Sequence, residues 1–79
     1  MKILITGATG LIGKELIKEL MLTGHSDINI LTRSIDKAKR SLPYPVNFYR
    51  WDLVENYIDE ASLTGVDVIV NLVGENIAG

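Results

Sequence analysis

Lys2-Ile3-Leu4-Ile5-Thr6-Gly7-Ala8-Thr9-Gly10-Leu11-Ile12-Gly13 is the stretch whose reading decides the fold. The run up to Thr6 is apolar and branched, with no breaker, and reads as a buried parallel strand. Three glycines follow at a spacing of three, and a helical pattern begins at once. A strand that breaks into a glycine turn and re-enters as a helix presents unpaired backbone N–H groups and partial positive charge at the helix start. A pyrophosphate can settle there if no side chain stands in the way. Gly7 allows the tight turn, with φ positive. Gly10 lets the backbone approach a phosphate, and Gly13 lets helix and strand pack closely. The first gap is one residue longer than in G-x-G-x-x-G, so the match is to a variant. Read blandly, the stretch is an ordinary strand-to-helix loop.

Outward from it, Leu11 to Leu22 reads as a helix with an apolar stripe of Ile12, Leu16, Ile17, Leu20 and Met21. Gly24 is its expected stop. His25 then sits where a cation favours a helix C-terminus, and no catalytic role is assigned to it. Ile28 to Thr32 is a second strand, and Ser34 caps a short helix running through Arg40. Pro43 and Pro45 mark a loop. Val46 to Arg50 is a shorter third strand, closed by Trp51-Asp52-Leu53. Val54 to Leu63 reads as a weak helix stopped by Gly65, and Val66 to Val73 as a fourth strand ended by Gly74. This β-α-β-α-β-α-β alternation implies parallel strands joined by right-handed crossovers, hence a doubly wound α/β sheet. About four strands in the order 3-2-1-4 are expected, with helices on both faces.

The bulk properties narrow the classes. Seventy-nine residues make one small domain or a piece of one, burying about 60–65% of the unfolded surface. A hydrophobic content of 47% argues against disorder. A net charge of −2 points to neither nucleic acid nor an anionic membrane. The chain has no cysteine, which excludes a disulfide scaffold and a thiolate metal site and fits a reducing cytoplasm. No apolar run approaches a membrane span. Met1 leads directly into the first strand, leaving no room for a signal peptide.

Arg33 bears on the choice of dinucleotide. It lies twenty positions after Gly13, at the tip of the second strand. An NAD-type site places Asp or Glu about there for the ribose 2′-hydroxyl, whereas Arg accommodates a 2′-phosphate. Thr32, Arg33 and Ser34 include no acid, and a guanidinium grips phosphate in bidentate fashion. NADP(H) is therefore favoured over NAD(H), with Ser34 as a second phosphate contact. Against this stands a plain surface arginine on a basic helix that also holds Lys37, Lys39 and Arg40.

The segment Ile5 to Gly13 resembles the cofactor fingerprint of the short-chain dehydrogenase/reductase superfamily, in its extended and atypical branches. Leu31-Thr32-Arg33, Trp51-Asp52 and Val70-Asn71-Leu72-Val73-Gly74-Glu75-Asn76-Ile77-Ala78 narrow the resemblance to NAD-dependent epimerase/dehydratase-like proteins, the sugar-nucleotide epimerase-like subfamily. That resemblance implies a partial Rossmann fold, with residues 1–79 the N-terminal part of an NAD(P)-binding domain. It implies that Gly7, Thr9, Gly10 and Gly13 contact the cofactor and that the backbone of Leu11 and Ile12 faces the pyrophosphate. Asp52 would accept a hydrogen bond from the adenine amino group, and Leu53 would line the adenine pocket. Leu72, Val73 and Gly74 would lie beside the nicotinamide-side ribose. A solvated turn aspartate and a bare strand end are the structural alternatives for Asp52 and for Asn71 to Gly74.

The superfamily acts through a Tyr with a Lys four residues later. Here Tyr44, Tyr49 and Tyr57 are followed at that spacing by Phe48, Leu53 and Ala61. No catalytic residue is assigned, and neither a Ser/His/Asp set nor a metal-ligand cluster exists. The expectation is the N-terminal portion of a longer epimerase/dehydratase-like oxidoreductase, with a nucleotide sugar as one candidate substrate. The alternatives are a stand-alone NADP(H)-binding module and a non-catalytic interaction unit. The fourth strand, Val66 to Val73, would be an exposed apolar edge, so self-association is expected through it.

Overall fold

A computed structural model of the chain describes residues 1–25 and 27–72. In chain order it holds β1 (Ile3–Thr6), α1 (Leu11–Leu22), β2 (Ile28–Thr32), α2 (Ile35–Ser41), β3 (Asn47–Asp52) and β4 (Tyr57–Ile58). A 3₁₀ turn (Glu60–Leu63) and β5 (Val68–Asn71) follow. One sheet runs β4-β3-β2-β1-β5. All neighbours are parallel except β3 and β4. The expected 3-2-1-4 order survives as β3-β2-β1-β5, with the two-residue β4 added outside β3. This is an α/β fold of partial Rossmann type.

Register explains where the core sits. Ile3 pairs with Ile28 and Val68, and Ile5 with Ile30 and Val70, while Ile30 pairs with Phe48. Side chains alternate faces along a strand, so these residues share one face. Ile17 of α1 and Leu42, just past α2, close over it and complete the buried cluster with Ala8. Full burial of each such aliphatic side chain contributes roughly 1.5–3 kcal/mol. The opposite face carries Leu4, Asn29 and Asn47 side by side in register. Asn29 is completely buried. Its Nδ2 donates to the Ser62 carbonyl at 3.0 Å, and its Oδ1 accepts from Asn47 Nδ2 at 3.1 Å. That polar bolt fastens the 3₁₀ turn to the sheet. Among the described residues the expected helices on both faces are found on one only: α1 and the end of α2 cover one side, and the 3₁₀ turn covers the other.

The expected helix from Val54 to Leu63 is not there. Asp52 Oδ1 accepts from the N–H groups of Val54 and Glu55 at 2.9 and 3.2 Å, closing a side-chain turn. Asn56 takes the left-handed conformation, with φ 58°. The chain then returns antiparallel, with Trp51 opposite Ile58 and Asp52 opposite Tyr57. Only Glu60–Leu63 coils, under an N-cap in which Asp59 Oδ1 accepts from Ala61 N at 3.1 Å. Asp and Asn bond their own neighbouring backbone more readily than they sit inside a helix, and three of them punctuate this segment. Arg50 ties the hairpin together. Its Nη2 lies 3.1 Å from Glu55 Oε1 and 3.6 Å from Asp52 Oδ2, and its guanidinium sits 5.1 Å from the centre of the Tyr57 ring.

The other boundaries follow the sequence reading closely. α1 and β2 have the expected ends, and Ser34 caps α2, accepting from Lys37 N at 3.4 Å. β3 starts one residue later than expected and runs through Asp52. Among the described residues no helix is long and apolar enough to cross a membrane. The last strand, expected from Val66 to Val73, starts at Val68 and ends at Asn71, and the expected Val73 and Gly74 lie outside the described residues.

Candidate functional site

The carboxyl ends of β1, β2, β3 and β5 open onto one cleft of about 1330 Å³. Its floor is residues 7–13, one wall is Leu31, Thr32, Arg33, Ser34, Lys37 and Ser41, and the other is residues 51–54, with Leu72 at the end of β5. β1 lies between β2 and β5, so successive crossovers leave it in opposite directions. In open α/β sheets that switch point is where ligands sit. Thr6 Oγ1 donates to Asn71 Oδ1 at 2.7 Å, and Leu72 N donates to the Thr6 carbonyl at 2.9 Å. These two bonds hold the tips of β1 and β5 together beneath the glycine turn.

Each glycine of the turn meets a different demand. Gly7 has φ +72°, the left-handed region that a side chain disfavours. At Gly13 an added Cβ would run into the backbone of Ala8, so only glycine lets α1 start this close to the turn. Gly10 differs from both. An added Cβ there would meet no atom within 4 Å. The space it leaves open is the cleft, so a ligand can approach this backbone closely. Gly10 is also the N-cap of α1, with extended backbone and no side-chain hydrogen bond. The first N–H groups of the helix therefore have no capping side chain and border the cleft. An anionic group fits this cradle sterically and electrostatically.

The β2 wall is cationic. Arg33 and Lys37 line it, and neither has an ion pair among the described residues. Ser34 lies between them, and its Oγ, which accepts from Lys37 N, keeps its O–H to donate. Thr32 Oγ1 lies 3.2 Å from both the N and the O of Ser34 and fixes the turn out of β2. The opposite wall is amphipathic, with Trp51, Leu53 and Val54 around Asp52. One oxygen of Asp52 holds the hairpin turn and the other leans toward Arg50. The carboxylate is thus more structural than a free turn aspartate, though its oxygens retain accepting capacity.

Of the residues named from sequence, Gly7, Thr9, Gly10, Leu11, Ile12, Gly13, Arg33, Ser34, Asp52, Leu53 and Leu72 all border this one cleft. Val73 and Gly74 lie outside the described residues. Ala8, Leu31, Thr32, Lys37, Ser41, Trp51 and Val54 also line the cleft, and the sequence reading gave them no site role. Lys37 was legible in principle, since it stands three residues beyond the Ser34 cap and so shares its side of the helix. Among the described residues no cluster of His, Asp and Glu could hold a metal ion.

Comparison with known proteins places this geometry. The chain is 34% identical over 76 residues to Protein Rcp of Vibrio cholerae serotype O1, covering 96% of this chain and 35% of that protein. A crystal structure of an NADPH-dependent quinone oxidoreductase from Escherichia coli superposes with a TM-score of 0.68 at 34% identity, over 87% of this chain and 26% of that one. The chain thus spans about a third of the one relative and a quarter of the other. The model of the NAD dependent epimerase/dehydratase family matches residues 3–79, glycine turn and sheet included, and the chain belongs to that family.

Proposed function

We propose that this chain binds NADP(H) in the cleft, as the N-terminal part of the NAD(P)-binding domain of an epimerase/dehydratase-like oxidoreductase. The observation that carries the reading is the pairing of two anion sites along one groove. The uncapped start of α1, over the open side of Gly10, suits a pyrophosphate. Arg33, Ser34 and Lys37 on the β2 wall suit a second, separate phosphate. A dinucleotide carrying a 2′-phosphate has both groups; NAD(H) has only the first. The NADPH dependence of the E. coli neighbour supports the same choice.

In this reading the backbone at Leu11 and Ile12 donates to the pyrophosphate. Leu53 offers an apolar wall to adenine, and Asp52 accepts from its amino group. Leu72, with Val73 and Gly74, meets the nicotinamide-side ribose. The nicotinamide supplies hydride chemistry when bound, and this chain's residues bind and orient it.

Titration of the chain with NADPH and with NADH, followed by calorimetry, tests this. NADPH should bind more tightly. Hydrogen bonds to charged groups are worth about 1.5–3 kcal/mol each, so Arg33→Ala and Lys37→Ala should each weaken NADPH binding roughly ten- to hundredfold. NADH binding should stay within about twofold, since it lacks the contacted group. Equal affinities for the two cofactors would overturn the NADP assignment, and failure to bind either would overturn the site.

A further inference from the structure

Asp52 borders the cleft at the end of β3, whereas Arg50 and Glu55 do not. Arg50 stands two residues earlier on the strand, and Tyr57 is the partner of Asp52 across the hairpin, so these three side chains share one face. The two oxygens of the Asp52 carboxylate are used differently. Oδ1 accepts from Val54 N at 2.9 Å and from Glu55 N at 3.2 Å, and is committed to the turn. Oδ2 lies 3.6 Å from Arg50 Nη2, near enough for charge attraction but too far for a hydrogen bond. Arg50 Nη2 donates instead to Glu55 Oε1 at 3.1 Å. The Tyr57 ring, 5.1 Å from the guanidinium carbon, holds the arginine in place. The Arg50 carbonyl accepts from Asp59 N at 3.1 Å, so its backbone is fixed as well.

We infer that Arg50 is a positioning residue for base selection: together with Glu55 it holds Oδ2 of Asp52 available to accept from the amino group of a 6-aminopurine. The inference rests on the dinucleotide reading above and adds what sets the choice of base. Attraction to the guanidinium restrains the carboxylate against rotation. Glu55, by taking the arginine's hydrogen bond, stops Arg50 from consuming the acceptor that the base needs. Ion pairs this exposed add little to folding stability, so their effect falls on recognition. A 6-oxopurine presents an acceptor where adenine presents a donor, and a site built to accept from that donor rejects it.

Calorimetric titration with NADPH and with its hypoxanthine analogue, in which a 6-oxo group replaces the amino group, tests this. The wild type should favour NADPH by roughly tenfold or more. Arg50→Ala and Glu55→Ala should each reduce that preference about two- to fivefold. The first releases the carboxylate, and the second lets Arg50 bond to Oδ2. Arg50→Lys, which keeps a cation, should recover part of the loss. The ratio of NADPH to NADH affinity should stay unchanged in all three variants, because that ratio depends on Arg33 and Lys37. A merely structural role for Arg50 would weaken both purine dinucleotides equally and leave the base preference intact, and that result overturns the inference. So does a wild type indifferent to the base, or a Glu55→Ala variant with its preference intact. Failure to bind NADPH overturns the dinucleotide reading itself, whereas normal NADPH binding with a base preference indifferent to Arg50→Ala overturns only the role of Arg50.

Discussion

Residues 3–32 and residues 52–63 obey different rules. In the first region every strand residue of β1 is buried, and Ile28 to Leu31 of β2 are buried too. There the apolar pattern of the strands specifies what forms, because many side chains must reach one core together, although Ile12 of the expected α1 stripe is exposed and borders the cleft. In the second, the residues from Leu53 to Ile58 are exposed, so little burial energy is at stake. Local bonds from Asp52 and Asp59, with Asn56 in the left-handed region, then decide the path. Where burial dominates, periodicity is a reliable guide; where it does not, turn chemistry outweighs a weak helical pattern.

The largest expected effect attacks the first region. Ile5 is fully buried between β2 and β5, so Ile5→Ala should cost about 2–5 kcal/mol. For so small a domain that is enough to lose cooperative thermal unfolding, and a midpoint shift of only a degree or two would break the comparison. Next comes Gly13→Ala, whose Cβ has no room beside Ala8. Strain of about 1–3 kcal/mol is expected, read as a lower denaturant midpoint. Gly10→Ala, with open space around it, should leave that midpoint within about 0.5–1 kcal/mol of wild type while blocking the approach of a phosphate. The pair separates glycine needed for packing from glycine needed for a ligand. The effect expected in the second region is small and local. Asp52→Ala removes the acceptor of two turn bonds and should cost about 1 kcal/mol. Faster amide exchange should be confined to residues 53–58. Loss of protection in β1 as well would show that the hairpin and the core are one cooperative unit.

The candidate site divides along the same line. The glycine turn and Arg33 were legible because each follows its strand at a spacing that backbone geometry imposes. Asp52 was legible as a position but not as a structure, since its bond to Val54 N and its contact with Arg50 are consequences of the hairpin. Lys37 joins the cleft on the side of α2 that Ser34 marks, whereas Trp51 joins it only because β3 runs on through Asp52, a length that no linear pattern reveals.

By itself the sequence determined the strand–glycine–helix start, the alternation that makes the sheet parallel, and a cation rather than an acid at the tip of β2. These rest on steric and periodic rules acting over a few residues. The tertiary structure alone decided that β4 joins the sheet, that a buried Asn29 anchors a 3₁₀ turn where a helix was expected, and that four strand tips share one cleft. Those outcomes depend on contacts between residues far apart in the chain, whose free energies local patterns do not contain.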